Sequence, residues 1–353
     1  MIENLRQSIA RHRTENPHAH ARDVASALGV SEAELVASRC GEGVVALDAR
    51  YKELVEGLVS LGSVKTMTRN GTAVLERWGA FESVEIEGTM GQVVGEEIDL
   101  RLFLRSWRQA FAVEEPSASG VRRSIQIFDA HGVSVHKIHL EDESKLEAYQ
   151  SLVELHWTEQ TPAPIEPLPA PKAELGDEEI DVAGLRAAWD AMTNTHEFFI
   201  LLRRFNVSRS QALRLGGGDR AHPVAASSLE PALRLAADTQ LPIMIFVGNR
   251  GMIQIHTGTI NNVQRMRGFL DVLDPRCNLH VREEAIASAW VVRKPTSDGI
   301  VTSFELYDAA GENVLLMFGK RKPGSVEDPR WRDLVTSLPA APDRATQVDP
   351  RVQ

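Results

Sequence analysis

The stretch FAVEEPSASGVRRSIQIFDAHG, from Phe111 to Gly132, occurs twice in this chain of 353 residues. Its second copy is WVVRKPTSDGIVTSFELYDAAG, from Trp290 to Gly311, and we call the step from Phe111 to Trp290 the strand offset. The matched pairs are Val113 with Val292, Pro116 with Pro295, Gly120 with Gly299, Ser124 with Ser303, Asp129 with Asp308 and Gly132 with Gly311. Upstream, LGVSEAEL aligns with FNVSRSQA. We call the slightly smaller step from Leu28 to Phe205 the helix offset. A repeat of this length indicates duplication of a whole domain rather than a solenoid.

Each copy combines helix signals with strand signals. Ser31 with Glu34, and Ser208 with Gln211, predict capping boxes at the same place in the two copies. Apolar residues then alternate with polar ones, as in strands, and the turns DAHG and DAAGEN favour hairpins. The segment DLRLFLRSW (99–107) is predicted as one strand. The sequence therefore predicts an α+β fold of two tandem structural repeats, each a large antiparallel β-sheet with helices packed against one face.

A proline-rich segment separates the two copies. Residues 158–181 read TEQTPAPIEPLPAPKAELGDEEID, and this density of proline favours a semi-rigid extended spacer. We predict an N-terminal repeat over 1–157, a linker over 158–181, a C-terminal repeat over 182–335 and a flexible, solvated tail over 336–353.

Composition excludes several classes of protein. A net charge of −10 and a pI near 5.6 disfavour a protein whose main partner is a phosphate backbone. The first residues, MIENLRQSIARHRTENP, lack the apolar core of a signal peptide, and no run reaches the ~18 apolar residues of a membrane span. Cys40 and Cys277 form no CxxC motif, so neither a disulfide framework nor a thiolate zinc site is expected. We expect a cytoplasmic protein that is not embedded in a membrane.

His196 heads an apolar segment, TNTHEFFILLRRF (193–205). Asn194 or Thr195 is the candidate cap, and Glu197 completes an N-x-x-E box from Asn194, which places His196 in the first helical turn. The positive end of the helix there disfavours imidazolium, and neutral imidazole is the form that binds a metal. Taken alone, such a histidine is more typical of a cap region or a surface than of a ligand.

Basic residues gather in the second copy of this acidic chain. They indicate either a solvated face or a site for an anionic, partly apolar ligand, because charge-assisted hydrogen bonds to carboxylates contribute about 1.5–3 kcal/mol each. The residues concerned are Arg203, Arg204, Arg209, Arg214, Arg220, Arg293, Lys294, Lys320, Arg321 and Lys322.

An alternative function comes from ARDVASALGVSEAELVAS (21–38), which has the outline of a helix-turn-helix. On that hypothesis the protein is a nucleic-acid-binding regulator. Glu32 and Glu34 would stand at the start of the second helix, where phosphates would lie, so no nucleic acid is expected as a partner.

Several motifs together resemble the bacterial haem-utilisation family of hemin-transport and hemin-degrading factors (HemS, ChuS, HmuS). They are HARDVASALGVSEAELVA, DLRLFLRSW, FFILLRRFNVSRSQALRL, IMIFVGNRGMIQIHTG and MFGKRKPG, and the resemblance covers about residues 1 to 330. It implies a cytoplasmic protein of two similar halves that binds one haem b (hemin), as ligand or substrate, for haem-iron acquisition. The activity implied is intracellular haem trafficking, oxidative haem degradation with iron release, or both.

The resemblance also implies roles for individual residues. His196 matches the axial ligand of the haem iron, and Arg101 matches the distal arginine, which would be catalytic if the protein degrades haem. Phe103 lies beside Arg101, and Phe246 matches an apolar wall of the site. The basic residues that match those around the haem and its propionates are Arg209, Lys294 and Arg321. Phe318 stands where some members carry a tyrosine, so one polar contact of those members is missing.

The family pattern further implies partners. Candidates are a haem ABC importer on the inner membrane face, a haem oxygenase that accepts haem, and an electron donor. The segment RNGTAVLE (69–76) lacks the histidines that some members carry, which argues against a second hemin in the first repeat.

Overall fold

Each copy of the repeated stretch folds into a pair of long antiparallel strands, the second of which begins at a glycine. In the computed structural model, Gly120 and Gly299 have φ values of 122° and 109°, a region that glycine enters far more readily than residues with a Cβ. The structure describes residues 2–17, 19–118, 120–159, 162–170, 173–322 and 324–342.

The helices and strands follow the chain in this order. The helices are α1 (Ile2–Glu15), α2 (Ala21–Leu28), α3 (Glu32–Ala37), α4 (Tyr51–Gly57), α5 (Leu146–His156), α6 (Val182–Asp190), α7 (Glu197–Phe205), α8 (Arg209–Gly216), α9 (Leu229–Asp238) and α10 (Pro329–Thr336). The strands of the first half are β1 (Val44–Leu47), β2 (Ser63–Arg69), β3 (Ala73–Ala80), β4 (Ser83–Glu87), β5 (Met90–Val94), β6 (Asp99–Phe103), β7 (Trp107–Ser117), β8 (Gly120–Asp129) and β9 (Ser134–Leu140). Those of the second half are β10 (Ala221–Val224), β11 (Ile243–Gly248), β12 (Met252–Gly258), β13 (Val263–Met266), β14 (Phe269–Asp274), β15 (Cys277–Val281), β16 (Ile286–Thr296), β17 (Gly299–Asp308) and β18 (Asn313–Gly319).

The described residues form two compact units. The first comprises the described residues within 2–69, 74–170 and 248–255, and the second comprises those within 70–73, 173–247 and 256–342. Most of β12 therefore belongs to the first unit, where it pairs antiparallel with β6. Sequence reasoning did not foresee this exchange, and the domain boundaries drawn from the linker stay a prediction.

The two units repeat the same strand order. Six strands of the first unit lie side by side, antiparallel, in the order β1-β7-β8-β9-β2-β3. Five strands of the second unit follow it in the order β10-β16-β17-β18-β11. The strand offset also relates residues that pair across strands. Ser124 pairs with His139 in the first unit, and their counterparts Ser303 and Phe318 pair in the second. The predicted duplication and the α+β class are confirmed.

Helices cover both faces of the strands in the second unit, so the prediction of one covered face is wrong. On one face, α6, α7 and α8 bury Trp189, Phe198 and Leu213 in a core that includes Tyr307 of β17. On the other face, Trp331 of α10 packs against Gly319 of β18. Residues 301–307 of β17 are buried without interruption, which is typical of a strand covered on both sides.

The turn between two helices is the same in both copies. Helix α2 is capped at its end by Gly29, with φ of 66°, and α7 is capped by Asn206, with φ of 52°. The helix offset relates these two positions. Ser31 then forms the predicted capping box with Glu34. Ser208 forms only half of its box, because the amide of Gln211 donates to the carbonyl of Leu175 instead.

Three other expectations need adjustment or stay open. The strand predicted over 99–107 is interrupted by a single helical turn, Leu104–Ser106, where the N–H of Leu104 donates to the carbonyl of Thr89.

Residues 162–170 and 173–176 of the linker have no regular structure, and a turn follows at Asp177–Glu179; residues 160, 161, 171 and 172 lie outside the described residues.

The predicted tail is described only in part. The carbonyl of Pro339 accepts a hydrogen bond from the N–H of Ala225, and residues 343–353 lie outside the described residues. Among the helices that the structure describes, none has the length and apolar character needed to cross a membrane.

The close approach of α10 to β18 yields a stability prediction. A Cβ at Gly319 would lie 2.7 Å from Cβ of Trp331, so Gly319→Ala should lower the free energy of unfolding by about 1–3 kcal/mol through overpacking. Denaturant titration measures this change. Gly218→Ala is the control, since nothing lies within 4 Å of its added Cβ, and its effect should stay below about 1 kcal/mol. Equal effects of the two substitutions would contradict the packing argument.

Candidate functional site

His196 occupies the cap position of α7, with an exposed side chain. Its N–H donates to Oδ1 of Asn194 at 2.9 Å, and its imidazole makes no capping hydrogen bond. The helix begins one residue after His196, so the predicted placement of His196 in its first turn is wrong. The carboxylate of Glu197 accepts from N and Oγ1 of Thr193, both at 3.0 Å. These hydrogen bonds lower the pKa of Glu197.

One face of α7 combines this imidazole with exposed apolar side chains. His196, Phe199, Ile200 and Arg203 are spaced three or four residues apart and so share a helix face. Phe199 and Ile200 are each 64% exposed, which is unusual for large apolar residues on a helix that is buried on its other side. The guanidinium of Arg203 lies 6.0 Å from the ring centroid of Phe199. An aromatic or other flat apolar ligand can lie on this face with the imidazole at its edge.

The segment before α7 is fixed to the sheet. The carbonyl of Thr193 accepts a hydrogen bond of 2.9 Å from the N–H of Ser297, in the turn between β16 and β17. Because His196 follows within three residues, this contact sets the position of the imidazole relative to the strands of its unit.

A buried carboxylate organises the basic residues beneath α7. Glu305 of β17 has no exposed side-chain surface and accepts five hydrogen bonds. Arg209 donates from Nη2 to Oε1 at 2.7 Å and from Nε to Oε2 at 2.8 Å. Nζ of Lys294 donates to Oε1 at 2.6 Å. Ser303 and Tyr307 complete the set with hydroxyl donors at 2.6 and 2.5 Å.

These contacts shift the ionisation of the cluster. Arg209 and Lys294 outweigh the cost of burial and hold the pKa of Glu305 well below its usual value. Burial, reinforced by the Glu305 charge, raises the pKa of Tyr307 well above the ordinary range of a phenol. Burial lowers the pKa of Lys294 to about 8, with Arg209 adding repulsion and Glu305 opposing the shift. Two of the three predicted propionate ligands, Arg209 and Lys294, are thus already paired with a carboxylate of the protein.

Phe198 connects this cluster to the helix that carries His196. The ring centroid of Phe198 lies 5.0 Å from the guanidinium carbon of Arg209 and 4.9 Å from Nζ of Lys294. Such cation–π contacts contribute about 0.5–2 kcal/mol each, depending on desolvation. The buried side of α7 therefore rests on the charged cluster while its other side is exposed.

Two phenylalanines continue the same side of the sheet. The rings of Phe246 (β11) and Phe318 (β18) pack edge to face, with centroids 5.2 Å apart, and both side chains are half-buried. Phe318 lies opposite Ser303, and Leu316 lies opposite Glu305, so these side chains leave the sheet on one face. Arg321 follows the end of β18 and has a half-buried side chain.

The remaining two predicted residues belong to the first unit. Arg101 lies on β6, forms an ion pair with Asp99 and donates to the carbonyl of Leu100 at 3.0 Å; its side chain is 38% exposed. Phe103 is the last residue of the same strand. The predicted site residues thus divide into six in the second unit and two in the first.

Sequence reasoning missed the residues that hold the cations. Ser303, Glu305 and Tyr307 alternate along a strand that otherwise reads as apolar, which places all three on one face. A charged residue at the centre of such a strand is a signal for a buried partner, and neither Arg209 nor Lys294 was paired with it beforehand.

The segment proposed as a helix-turn-helix folds as two helices, α2 and α3. In α3, Glu32, Ala33 and Leu35 are buried within the first unit, and Glu32 pairs with Arg69. The side of α3 that carries these residues is therefore occupied by contacts of its own unit.

The chain matches a known domain twice. The model of the haemin-degrading HemS.ChuX domain matches residues 29–156 and 206–338, and the helix offset relates the starting positions of the two ranges. His196 lies upstream of the second matched range. HmuS, a hemin transport protein of Yersinia pestis, is 40% identical over 340 residues, 96% of this chain and 98% of its own length.

Solved structures resemble the whole fold. Holo-PhuS, a heme-binding protein from Pseudomonas aeruginosa, is 43% identical with a TM-score of 0.94, and the match covers 96% of this chain and 99% of PhuS. ChuS, a heme degrading enzyme of Escherichia coli O157:H7, is 36% identical with a TM-score of 0.90, covering 96% of this chain and 100% of ChuS.

The buried carboxylate generates a second prediction. Glu305→Gln removes the counter-charge of Arg209 and Lys294 and should lower the free energy of unfolding at pH 7 by about 3–5 kcal/mol. Denaturant titration measures it, with the exposed Glu312→Gln as the control, which should change stability by less than about 0.5 kcal/mol. A small effect of Glu305→Gln would mean that the cations do not depend on this carboxylate.

The pH dependence of that difference has a defined sign. Since the folded-state pKa of Glu305 is depressed, its stabilising contribution is complete above the unfolded-state value of about 4.3 and is lost as the pH falls through the folded-state value. The stability gap between the wild type and Glu305→Gln should therefore be constant from about pH 5 to 7 and narrow in more acidic solution. A gap that widens on acidification would contradict the assignment.

Proposed function

The chain belongs to the family of the haemin-degrading HemS.ChuX domain, and from this we propose that it binds one hemin on the second unit with His196 as the axial ligand of the iron. The observation that carries the proposal is the exposed imidazole at the cap of α7, which makes no hydrogen bond among the described residues and so remains free to bind a metal.

Only some of the predicted basic residues have donors available for the propionates of hemin. Nε and Nη2 of Arg209 are engaged by Glu305, whereas Nη1 has no hydrogen bond among the described residues. We assign a propionate contact to Nη1 of Arg209 and to Arg321. Lys294 acts through Glu305: it balances the carboxylate and leaves the outer edge of Arg209 available. The apolar Phe246 and Phe318 would line the porphyrin ring.

The bound haem supplies the iron and the redox chemistry, and the protein supplies position and polarity. Arg101 is the catalytic candidate that the resemblance implies, with Phe103 beside it. We propose a role in haem trafficking, in haem degradation, or in both, in the cytoplasm. PhuS is described as heme-binding and ChuS as heme degrading, and both relatives match over nearly the whole chain.

The ligand assignment is tested by hemin titration of the wild type and of His196→Ala. The wild type should give a saturable Soret shift at one hemin per chain. His196→Ala should change the position of the Soret band and weaken binding by about tenfold, a modest loss because ring burial and propionate contacts persist.

His20→Ala is the matched control for this titration. His20 is also exposed and also stands at the cap of a helix, α2, without a capping hydrogen bond. Its substitution should leave spectrum and affinity unchanged. An unaltered Soret band in His196→Ala would remove His196 from the site.

Carrier and degrading activities are separated by adding a reductase system to the hemin complex with catalase present. Loss of the Soret band with release of carbon monoxide and a linear tetrapyrrole would establish degradation, and Arg101→Ala should slow it. Transfer of intact hemin to an acceptor, with no linear tetrapyrrole formed, would establish the carrier role alone.

A further inference from the structure

The sheet face that carries the candidate site in the second unit has a counterpart in the first unit with different chemistry. In the second unit this face presents Met244 and Phe246 on β11, and Leu316 and Phe318 on β18. All four side chains are half-buried. The face is apolar at these positions.

The equivalent positions follow from strand pairing, without any choice of alignment. Met244 pairs with Phe318, and Phe246 pairs with Leu316. In the first unit Lys65 pairs with His139, and Met67 pairs with Lys137. The strand offset relates Lys65 and His139 to Met244 and Phe318. It likewise relates Met67 and Lys137 to Phe246 and Leu316. Three of the four apolar residues are thus replaced in the first unit by Lys65, Lys137 and His139. We call these three residues, together with Arg122 of β8, the basic face.

The basic face holds more positive than negative charge. Its ion pairs join the carboxylates of Glu32, Glu76 and Glu115 to the cations Arg39, Lys65, Arg69, Arg122 and Lys137. In these ion pairs five cations share three carboxylates, so positive charge predominates.

Lys137 is the least compensated of these cations. Its side chain is 12% exposed, its nearest carboxylate oxygen, Oε2 of Glu32, is 3.9 Å away, and no hydrogen bond engages Nζ among the described residues. Burial and the neighbouring Arg69 lower the pKa of Lys137 to about 8. An ammonium group removed from water without a close partner is costly, and an anion would relieve that cost.

A buried polar atom without a partner lies on the same face. Nδ1 of His139 has no hydrogen-bond partner in the part of the chain that the structure describes, and His139 is more than nine-tenths buried. Gln126 lies opposite Lys137 and Ser124 lies opposite His139, so all four side chains leave the sheet on one side. Unpaired buried polar atoms are rare and call for a missing partner.

We propose that the basic face of the first unit is a second ligand site, separate from the hemin site, that binds a phosphate group through Lys65, Lys137, Arg122 and His139. Phosphate fits because it is a dianion near neutral pH and accepts several charge-assisted hydrogen bonds at once. Hemin does not fit, since the position equivalent to His196 is Ala19 and the apolar positions are now charged. The group is either free phosphate or part of a small phosphomonoester.

Calorimetric titration of the full hemin-free chain tests the site, with inorganic phosphate and glycerol phosphate as separate ligands in a phosphate-free buffer. Saturable binding at one ligand per chain is expected. Comparison of the two ligands shows whether the site takes the free ion or the esterified group. Lys137→Leu, which copies Leu316 of the second unit, should weaken binding by about tenfold or more.

Lys52→Leu is the control, since it removes one exposed positive charge of the same unit away from this face, and it should leave the affinity unchanged. If Lys137→Leu does not fold, Lys65→Met, which copies Met244, carries the same expectation. Absence of saturable binding for both ligands, or equal affinity in Lys137→Leu and Lys52→Leu, would overturn the proposal. Hemin titration of Lys137→Leu should match the wild type, so this site and the hemin site fail or succeed independently.

Discussion

The second unit depends on one buried negative charge. A carboxylate with no exposed surface is unfavourable unless it is fully paired, and Glu305 meets this condition only because α8 brings Arg209 and β16 brings Lys294 to the same two oxygen atoms. Three elements are therefore held at fixed separations by hydrogen bonds. Phe198 contacts both cations, so the position of α7 follows from the same cluster. The imidazole of His196 stands at the end of this chain of contacts.

The fold was largely predictable because its signals are local. The turns after Asp129 and Asp308, the alternating strands and the caps at Ser31 and Ser208 can all be read within a few residues of the sequence. What was not predictable depended on distant pairs. Arg209 and Glu305 are far apart in the chain, and composition alone made the arginine look available for a ligand. The start of α7 was predicted too early, with the cap at Asn194 or Thr195 rather than at His196, and the carboxylate of Glu197 bonds to Thr193.

Duplication has preserved the backbone while the surface chemistry diverged. The strand orders agree, and pairs such as Lys65 with His139 and Met244 with Phe318 occupy the same register. Hydrogen bonds between strands do not depend on side-chain identity, so a half-buried face can change from apolar to basic without disturbing the sheet. Glu305 illustrates the same freedom, since its counterpart in the first unit is the neutral Gln126.

In contrast to these faces, the position between the paired helices accepts few residue types. Gly29 and Asn206 both adopt a left-handed backbone, in which most side chains clash with the main chain and only glycine, with asparagine next, is readily accommodated. Single substitutions can change the side chains of either face, whereas this position favours glycine or asparagine in both copies. A β-branched residue there would strain the connection between the two helices, whatever ligand the unit binds.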